Sequence, residues 1–374
     1  MFTAFPNYPQ NRIFDGYRSK WKSEEVINGV TVLRSWIFVG KSRSILSRLL
    51  NYFSFVVSSF FRLVVKGKPD YIFCESPPLF LGITAVFISW IKGTKLIFNV
   101  SDLWPESAEK LDVIRNRVLL KLSYKLEAWI YKNAFVISGQ TQGIVANIKQ
   151  RFPGKPVIWF PNGVDVDFFA QADFTENWRA RWAINQEDMV VLYGGVIGHA
   201  QGLGLVLDVA ESLVEHAIQF VLVGDGPEKE SLSKEIARRQ LTNIKLEPAI
   251  AKSRIPSMIT ACDIYWVPLR KLDLFRGAIP SKLFEPLAMG KPILLGVEGE
   301  AYALFIQQGR AGRAYEPENA LDMKDQILWM LEHPVERSAM GKAGRIYVYK
   351  NFDRKRIHER FLQELKNVEK VSGI

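Results

Sequence analysis

Four stretches of this sequence place reactive or anion-holding residue types just past an apolar run. In SDLWPESA, which follows KLIFNV, Asp102 can orient an acceptor hydroxyl or take its proton. It can equally cap the next turn, with Trp104 and Pro105 as packing. In the stretch from Tyr193 to Gly202, the glycines at 194, 195, 198 and 202 let backbone N–H groups approach an anion. No Gly-Lys-Ser/Thr closes it and no G-x-G-x-x-G is present, so it is neither a P-loop nor a dinucleotide fingerprint; a plain tight turn reads as well. In VGDGPEKE, Gly224, Asp225 and Gly226 permit an abrupt turn and Pro227 suits a helix start. The richest stretch is RGAIPSKLFEPLAMGKPILL. Ser281 is the expected N-cap, with Pro280 fixing the entry. The first-turn N–H groups and helix dipole favour a diphosphate there, and Arg276 and Lys282 add positive charge. Glu285, one turn on, can accept hydrogen bonds from both ribose hydroxyls; the plain alternative is a surface glutamate on a solvated helix.

Other reactive types are sparse. Cys74 and Cys262 sit in apolar runs and read as buried thiols of a reducing compartment. His199, His216, His333 and His358 are scattered, which excludes zinc and haem spacings. Asp165 and Asp167 form a D-x-D, but in the turn chemistry of PNGVDVDFF rather than among strand-end acids, so no metal is expected there.

The elements that must hold these residues alternate. Short apolar runs at 2–5, 30–36, 71–74, 96–100, 135–138 and 157–160 are followed by a second series at 189–193, 220–223, 244–246, 264–267 and 293–295. Runs apolar on both faces read as parallel strands covered by helices, here at 118–133, 203–215 and 228–240. The pattern predicts an α/β chain in two halves, broken near 161–188. A charged helical end from about 340 to 371 is interrupted at Phe352 and Asp353. Ligands of such sheets bind beyond the carboxyl ends of the strands, where the candidate stretches lie.

The chain has 374 residues and a formal charge of +10, which fits a nucleic acid, an anionic membrane or a phosphorylated substrate. The first seventy residues are rich in Lys and Arg, and the apolar stretches at 52–61 and 77–91 are bounded by Arg48, Arg62 and Lys92. Neither reaches the roughly 20 apolar residues of a spanning helix. The combination predicts peripheral contact with an anionic membrane through 43–68, against the alternative of ordinary sheet-covering helices. The opening residues carry no secretory pattern, and a cytoplasmic place on the inner face of the cell membrane is expected.

FPNYPQNRIFDGYR, DLWPESA, FPNGVD, VLYGGVIGHAQGL, VLVGDGP and PSKLFEPLAMGKPIL, in that order, resemble the retaining GT-B glycosyltransferases of family four. Within it they are similar to bacterial enzymes of O-antigen, capsule and exopolysaccharide synthesis, with a fucosyl- or fucosamine-transferase-like pattern. The resemblance implies two Rossmann-like domains facing across a cleft: an acceptor-side domain over 1–165, a nucleotide-sugar domain over 166–350, and a last helix over 351–374 packing back on the first. It implies a nucleoside diphosphate sugar donor (UDP favoured), a lipid-linked sugar acceptor, no nucleic acid, no cofactor and no metal. Gly195, Gly198, Gln201, Gly224, Arg276, Ser281, Lys282 and Glu285 become the donor-binding set and Asp102 the catalytic candidate, with Ser101 competing. This sequence departs from the family pattern in three places. The first acid of the Glu-x7-Glu motif falls on Gly277; the glycine-turn Arg and Lys fall at about Val196 and Gln201; and the first domain is expected to lack its usual first strand and helix. A nucleotide-sugar 2-epimerase of the same fold, or a truncated non-catalytic relic or binding subunit, are the other readings.

Overall fold

The structure, a computed structural model, describes residues 1–7, 12–40, 45–110, 114, 116–170 and 176–371. Lys41 and Arg43 of the basic segment, and the side chain of Arg48, lie outside the described residues, as do 171–175 of the expected linker. The chain divides into two units: unit 1 comprises Met1–Gln140, Ile144–Trp159 and Glu364–Ile374, and unit 2 comprises Thr141–Gly143 and Phe160–Gln363.

Unit 1 holds two sheets. The first, in order β1-β3-β2, contains β1 (Phe2–Ala4), β2 (Lys22–Ile27) and β3 (Val30–Ser35), with β1 parallel and β2 antiparallel to β3. Asn28 and Gly29 close the β2–β3 hairpin with φ of 50° and 78°, the two positive values a tight type I′ turn requires. The second sheet is parallel and runs in chain order: β4 (Tyr71–Ser76), β5 (Lys95–Val100), β6 (Val136–Gly139) and β7 (Val157–Trp159). Leu96, Ile97 and Phe98 are all buried, as expected of a parallel strand covered on both faces. Helices α1 (Ile45–Val64), α2 (Leu81–Lys92), α3 (Glu106–Lys110), α4 (Arg117–Asn133) and α5 (Gln142–Arg151) follow the strands. Asn116 caps α4, its side-chain oxygen accepting from the N–H groups of Val118 and Leu119. Phe98, Ile130, Tyr131 and Ile137 lie in one buried cluster.

Unit 2 is one six-stranded parallel sheet of β8 (Met189–Val196), β9 (Ile218–Asp225), β10 (Ile244–Glu247), β11 (Ile264–Pro268), β12 (Ile293–Gly296) and β13 (Gly312–Ala314). Their order is β10-β9-β8-β11-β12-β13, so the winding reverses between β8 and β11. The helices are α6 (Val166–Ala170), α7 (Trp178–Arg181), α8 (Leu205–Ser212), α9 (Lys229–Arg238), α10 (Ile255–Thr260), α11 (Phe284–Ala288), α12 (Ala320–Glu332) and α13 (Pro334–Asn351). In the core, the Trp266 indole N–H donates to the Tyr315 hydroxyl at 2.8 Å, satisfying both buried polar groups. The PNGV stretch is pinned by its backbone: Val164 N–H donates to the Phe352 carbonyl and Arg354 N–H to the Val164 carbonyl, both at 3.0 Å. That pairing falls at the junction of α13 with the last helix, α14 (Arg354–Val371), whose residues from Glu364 on belong to unit 1. There Glu369 accepts from Lys95 at 2.6 Å and from the Tyr71 hydroxyl. Among the described residues no helix is long and apolar enough to cross a membrane.

Every apolar run read as a strand is a strand, with ends shifted by one to three residues. Two strands are missing from that reading. β2 (KSEEVI) is polar because its residues are half or fully exposed, and β13 has only three residues. The glycine stretch also differs: Gly194 and Gly195 belong to β8 itself, and the turn after them is a short 3-10 helix over His199–Gln201.

Candidate functional site

In a doubly wound sheet the crevice at the winding reversal receives the ligand. In unit 2 this is the carboxyl end of β8 and β11. The first five residues of β8 are buried and the last three emerge from cover. Tyr193, the last buried residue, donates its hydroxyl to the Val196 carbonyl at 2.5 Å. Lys282 donates its ammonium to the Tyr193 oxygen at 2.8 Å and stands 4.2 Å from that ring's centroid. Burial pushes the Lys282 pKa down to about 8.

Gly195 keeps the space over this lysine open. Its φ is +148°, and a Cβ there would lie 3.2 Å from the Lys282 Nζ. Gly224, opposite Gly195 in the β8–β9 register, is held by packing: a Cβ would fall 1.8 Å from the Gly195 carbonyl oxygen. On β11, buried Tyr265 donates its hydroxyl to the Gly194 carbonyl at 3.2 Å. Burial first, and then the charge of Glu285, raise the Tyr265 pKa. Glu285 is half-buried, and its carboxylate accepts no hydrogen bond among the described residues. Burial raises its pKa, opposed by the charges of Lys252 and Arg354.

The approach to Glu285 corrects an expectation. Ser281 caps no helix. Ser281–Leu283 is a 3-10 turn whose N-cap position is Pro280, Ser281 is exposed, and α11 begins only at Phe284. Pro286 supplies the reason. An α-helix starting at Ser281 would need its N–H for the Lys282 carbonyl, and proline has none.

Three further donor candidates are not among the groups that Lys282 touches in its hydrogen bond and ring contact. Gln201 ends the 3-10 turn after β8 and folds back, its Oε1 lying 3.3 Å from where a Gly198 Cβ would be. Gly198 itself is extended. Arg276 sits in a separate 3-10 turn, with its guanidinium exposed and making no hydrogen bond or ion pair among the described residues. Beside the turn, His199 pairs with Glu228.

In unit 1 the carboxyl ends of β4, β5 and β6 carry a polar row. Ser138, fully buried, donates to the Asn99 side-chain oxygen at 2.6 Å, and Asn99 donates to Glu75 at 2.6 Å. The Ser101 hydroxyl donates to the other Glu75 oxygen. Asp102 follows directly, exposed, with one carboxylate oxygen accepting from Ser107 at 2.8 Å. Glu75 is absent from the sequence reading, which ended that strand at Cys74; the ESPP that follows YIFC was the available signal. The D-x-D acids are otherwise engaged: Asp165 accepts from the Phe168 N–H and Asp167 pairs with Lys355.

Comparison with known proteins finds two family matches that overlap at 174–191. Residues 7–191 match the glycosyl transferase 4-like domain and residues 174–347 match the glycosyl transferases group 1. The putative colanic acid biosynthesis glycosyl transferase WcaI of Escherichia coli K12 is 26% identical, over 98% of this chain and 91% of that protein. Among solved structures, Anabaena HepE in complex with UDP and glucose superposes with a TM-score of 0.68 at 17% identity, covering 89% of this chain and 86% of that one. Sucrose-phosphate synthase of Thermosynechococcus elongatus superposes with a TM-score of 0.75 at 15% identity, covering 99% and 89%. These similarities establish the fold as GT-B.

Proposed function

We propose that this chain is a group 1 glycosyltransferase that transfers a sugar, with retention at its anomeric carbon, from a nucleoside diphosphate sugar to a lipid-linked or polysaccharide acceptor of surface-glycan synthesis. The observation that carries the donor assignment is the set of contacts among Lys282, Tyr193 and Gly195 at the winding reversal of unit 2, with Glu285 three residues along the chain from Lys282. A half-buried ammonium under an open glycine suits the diphosphate, and a carboxylate without a hydrogen-bond donor suits the ribose hydroxyls. UDP is the favoured nucleotide, in line with the UDP held by HepE.

In the proposed step the bond from the anomeric carbon to the diphosphate oxygen breaks and its electron pair stays on the phosphate. A bond to the acceptor oxygen forms, and the acceptor proton leaves to a carboxylate. Lys282 stabilises the charge developing on the leaving group, the term that dominates such catalysis. Asp102, next to the Glu75–Asn99–Ser101 row, is the proton acceptor on unit 1. No metal is assigned, since both D-x-D acids have protein partners. The colanic acid relative and the basic first seventy residues support a surface glycan built at an anionic membrane, whose cytoplasmic face is the proposed place.

Purified chain is to be given a panel of UDP- and GDP-sugars with and without chelator. Release of free nucleotide from a UDP-sugar, unchanged by chelator, and an acceptor product of unchanged anomeric configuration are expected. No turnover of any donor, inversion of configuration, or activity lost in chelator and restored by manganese overturns the corresponding part of the reading.

A further inference from the structure

Helix α1 is apolar on two faces, and only one of them is covered. On the covered side Phe55 stacks on Phe2 with ring centroids 6.0 Å apart, Ser59 is fully buried, and Thr84 of α2 donates to the Val56 carbonyl at 2.9 Å. On the other side Leu50, Phe53, Val57 and Phe61, at helical spacing, are exposed, as is Val65 just past the end of the helix. With Trp21 and Trp36, whose rings lie 5.3 Å apart, they wall an open groove of about 840 Å³.

The groove offers a ligand almost no polar chemistry, because its hydroxyls are already used. Ser54 donates to the Asn51 carbonyl and accepts the Phe38 N–H, both at 2.8 Å, and Ser58 donates to the Trp36 carbonyl at 2.6 Å. Its surroundings are cationic. Among the described side chains of residues 18–68, seven Lys and Arg (18, 20, 22, 34, 62, 66 and 68) stand against Glu24 and Glu25, which pair with Lys66 and Arg34. Lys22 and Arg62 line the groove, and Lys92 donates to the backbone carbonyls of Val64 and Lys66 at the end of α1.

We propose that this groove docks unit 1 on a membrane, taking hydrocarbon chains of an anionic bilayer while lipid phosphates meet the surrounding lysines. Charge decides against the other apolar occupant, a second copy of this chain. A two-fold contact would set one strongly basic face against its twin. A bilayer supplies both apolar chains and negative charge. The inference deepens the reading of a lipid-linked acceptor and rests on it only for its purpose.

The test uses the full chain and phosphatidylglycerol-containing vesicles, with phosphatidylcholine vesicles as control. The parent is expected to float with the anionic vesicles, less so as salt rises, and its tryptophan fluorescence to be quenched by bromine placed on the acyl chains. Val57→Asp with Phe61→Asp is expected to weaken flotation at least tenfold, while UDP affinity and melting temperature stay at parental values. Trp21→Phe is expected to lose a clear share of the quenching. Absence of flotation by the parent overturns the proposal, as does flotation of the double variant at parental strength. So does a concentration-dependent dimer of the parent that the double variant abolishes, which would assign the groove to a second copy. UDP-sugar turnover without vesicles is read separately: flotation without turnover sinks the enzymatic reading and leaves the docking site standing, and turnover without flotation does the reverse.

Discussion

Glu285 and Lys282 lie three residues apart and are tuned by the same burial in opposite directions. Burial raises the glutamate's pKa and lowers the lysine's to about 8, each shift disfavouring charge. A diphosphate would reverse the cost at Lys282, because its ammonium gains a partner of opposite charge. Below pH about 8 the ammonium is present in the free protein. As pH rises through that value the lysine becomes neutral and must regain a proton to bind, so UDP affinity is expected to hold below pH about 8 and fall above it. Titration calorimetry across pH 6.5–9.5 reads this directly, and a flat profile would remove Lys282 from the diphosphate. Stability moves the other way: with an unfolded pKa near 10.4, the neutral lysine favours the fold increasingly between about pH 8 and 10.4. For Glu285 the comparison is with Gln. Two charge-assisted hydrogen bonds from ribose hydroxyls are worth about 1.5–3 kcal/mol each. Glu285→Gln keeps size and helix propensity but replaces one acceptor oxygen with a donor. Donor kcat/KM is expected to drop about tenfold to a few hundredfold with the melting temperature unchanged. A folded variant with parental kcat/KM would make Glu285 an ordinary helix residue.

At the scale of elements, β8 and β9 approach so closely at their ends that glycine is required. A Gly224 Cβ would meet the Gly195 carbonyl at 1.8 Å, and neither strand can yield without breaking the ladder. Gly224→Ala is expected to cost about 1–3 kcal/mol or more of stability and to displace Gly195 from above Lys282, weakening UDP binding as well. Unchanged denaturant and UDP titrations would show that the strand ends slide apart freely. The sequence announced this strand pair, because MVVLY and FVLV are apolar on both faces, but not how far β8 runs, because Gly194 and Gly195 read as turn residues. Glu285 could be proposed from the sequence for the same kind of local reason, four residues past Ser281. The cap at Ser281 was not, because the reading gave Pro280 weight and overlooked Pro286, which denies an α-helix its second hydrogen bond. Glu75 was missed differently. It joins Asn99, Ser101 and Ser138 across three strands, a row that only the β4-β5-β6 order assembles.

At the scale of the whole molecule, the last helix belongs to both units. Its first half carries buried Ile357 and Phe361 within unit 2, and its second half carries buried Leu365, together with Glu369, in unit 1. Ending the chain after Gln363 therefore removes nothing that unit 2 contains. From unit 1 it takes a buried leucine, whose loss alone costs about 2–5 kcal/mol in a packed site, and the carboxylate that Lys95 and Tyr71 share. The Tyr71 hydroxyl, held up to about 12 chiefly by its hydrogen bond to Glu369, would return toward the ordinary tyrosine range. The shortened chain is expected to bind UDP with parental affinity, since Tyr193, Gly195, Lys282 and Glu285 all stay within the residues of unit 2. Its calorimetric trace is expected to show a lower-melting transition that UDP does not raise, beside one that UDP does raise. Spectrophotometric titration should find one tyrosine ionising earlier than in the parent. If UDP affinity disappears with those last residues, the donor site depends on unit 1, and the assignment of the nucleotide to unit 2 alone is wrong. If the melting profile is unchanged, the end of α14 contributes nothing to unit 1.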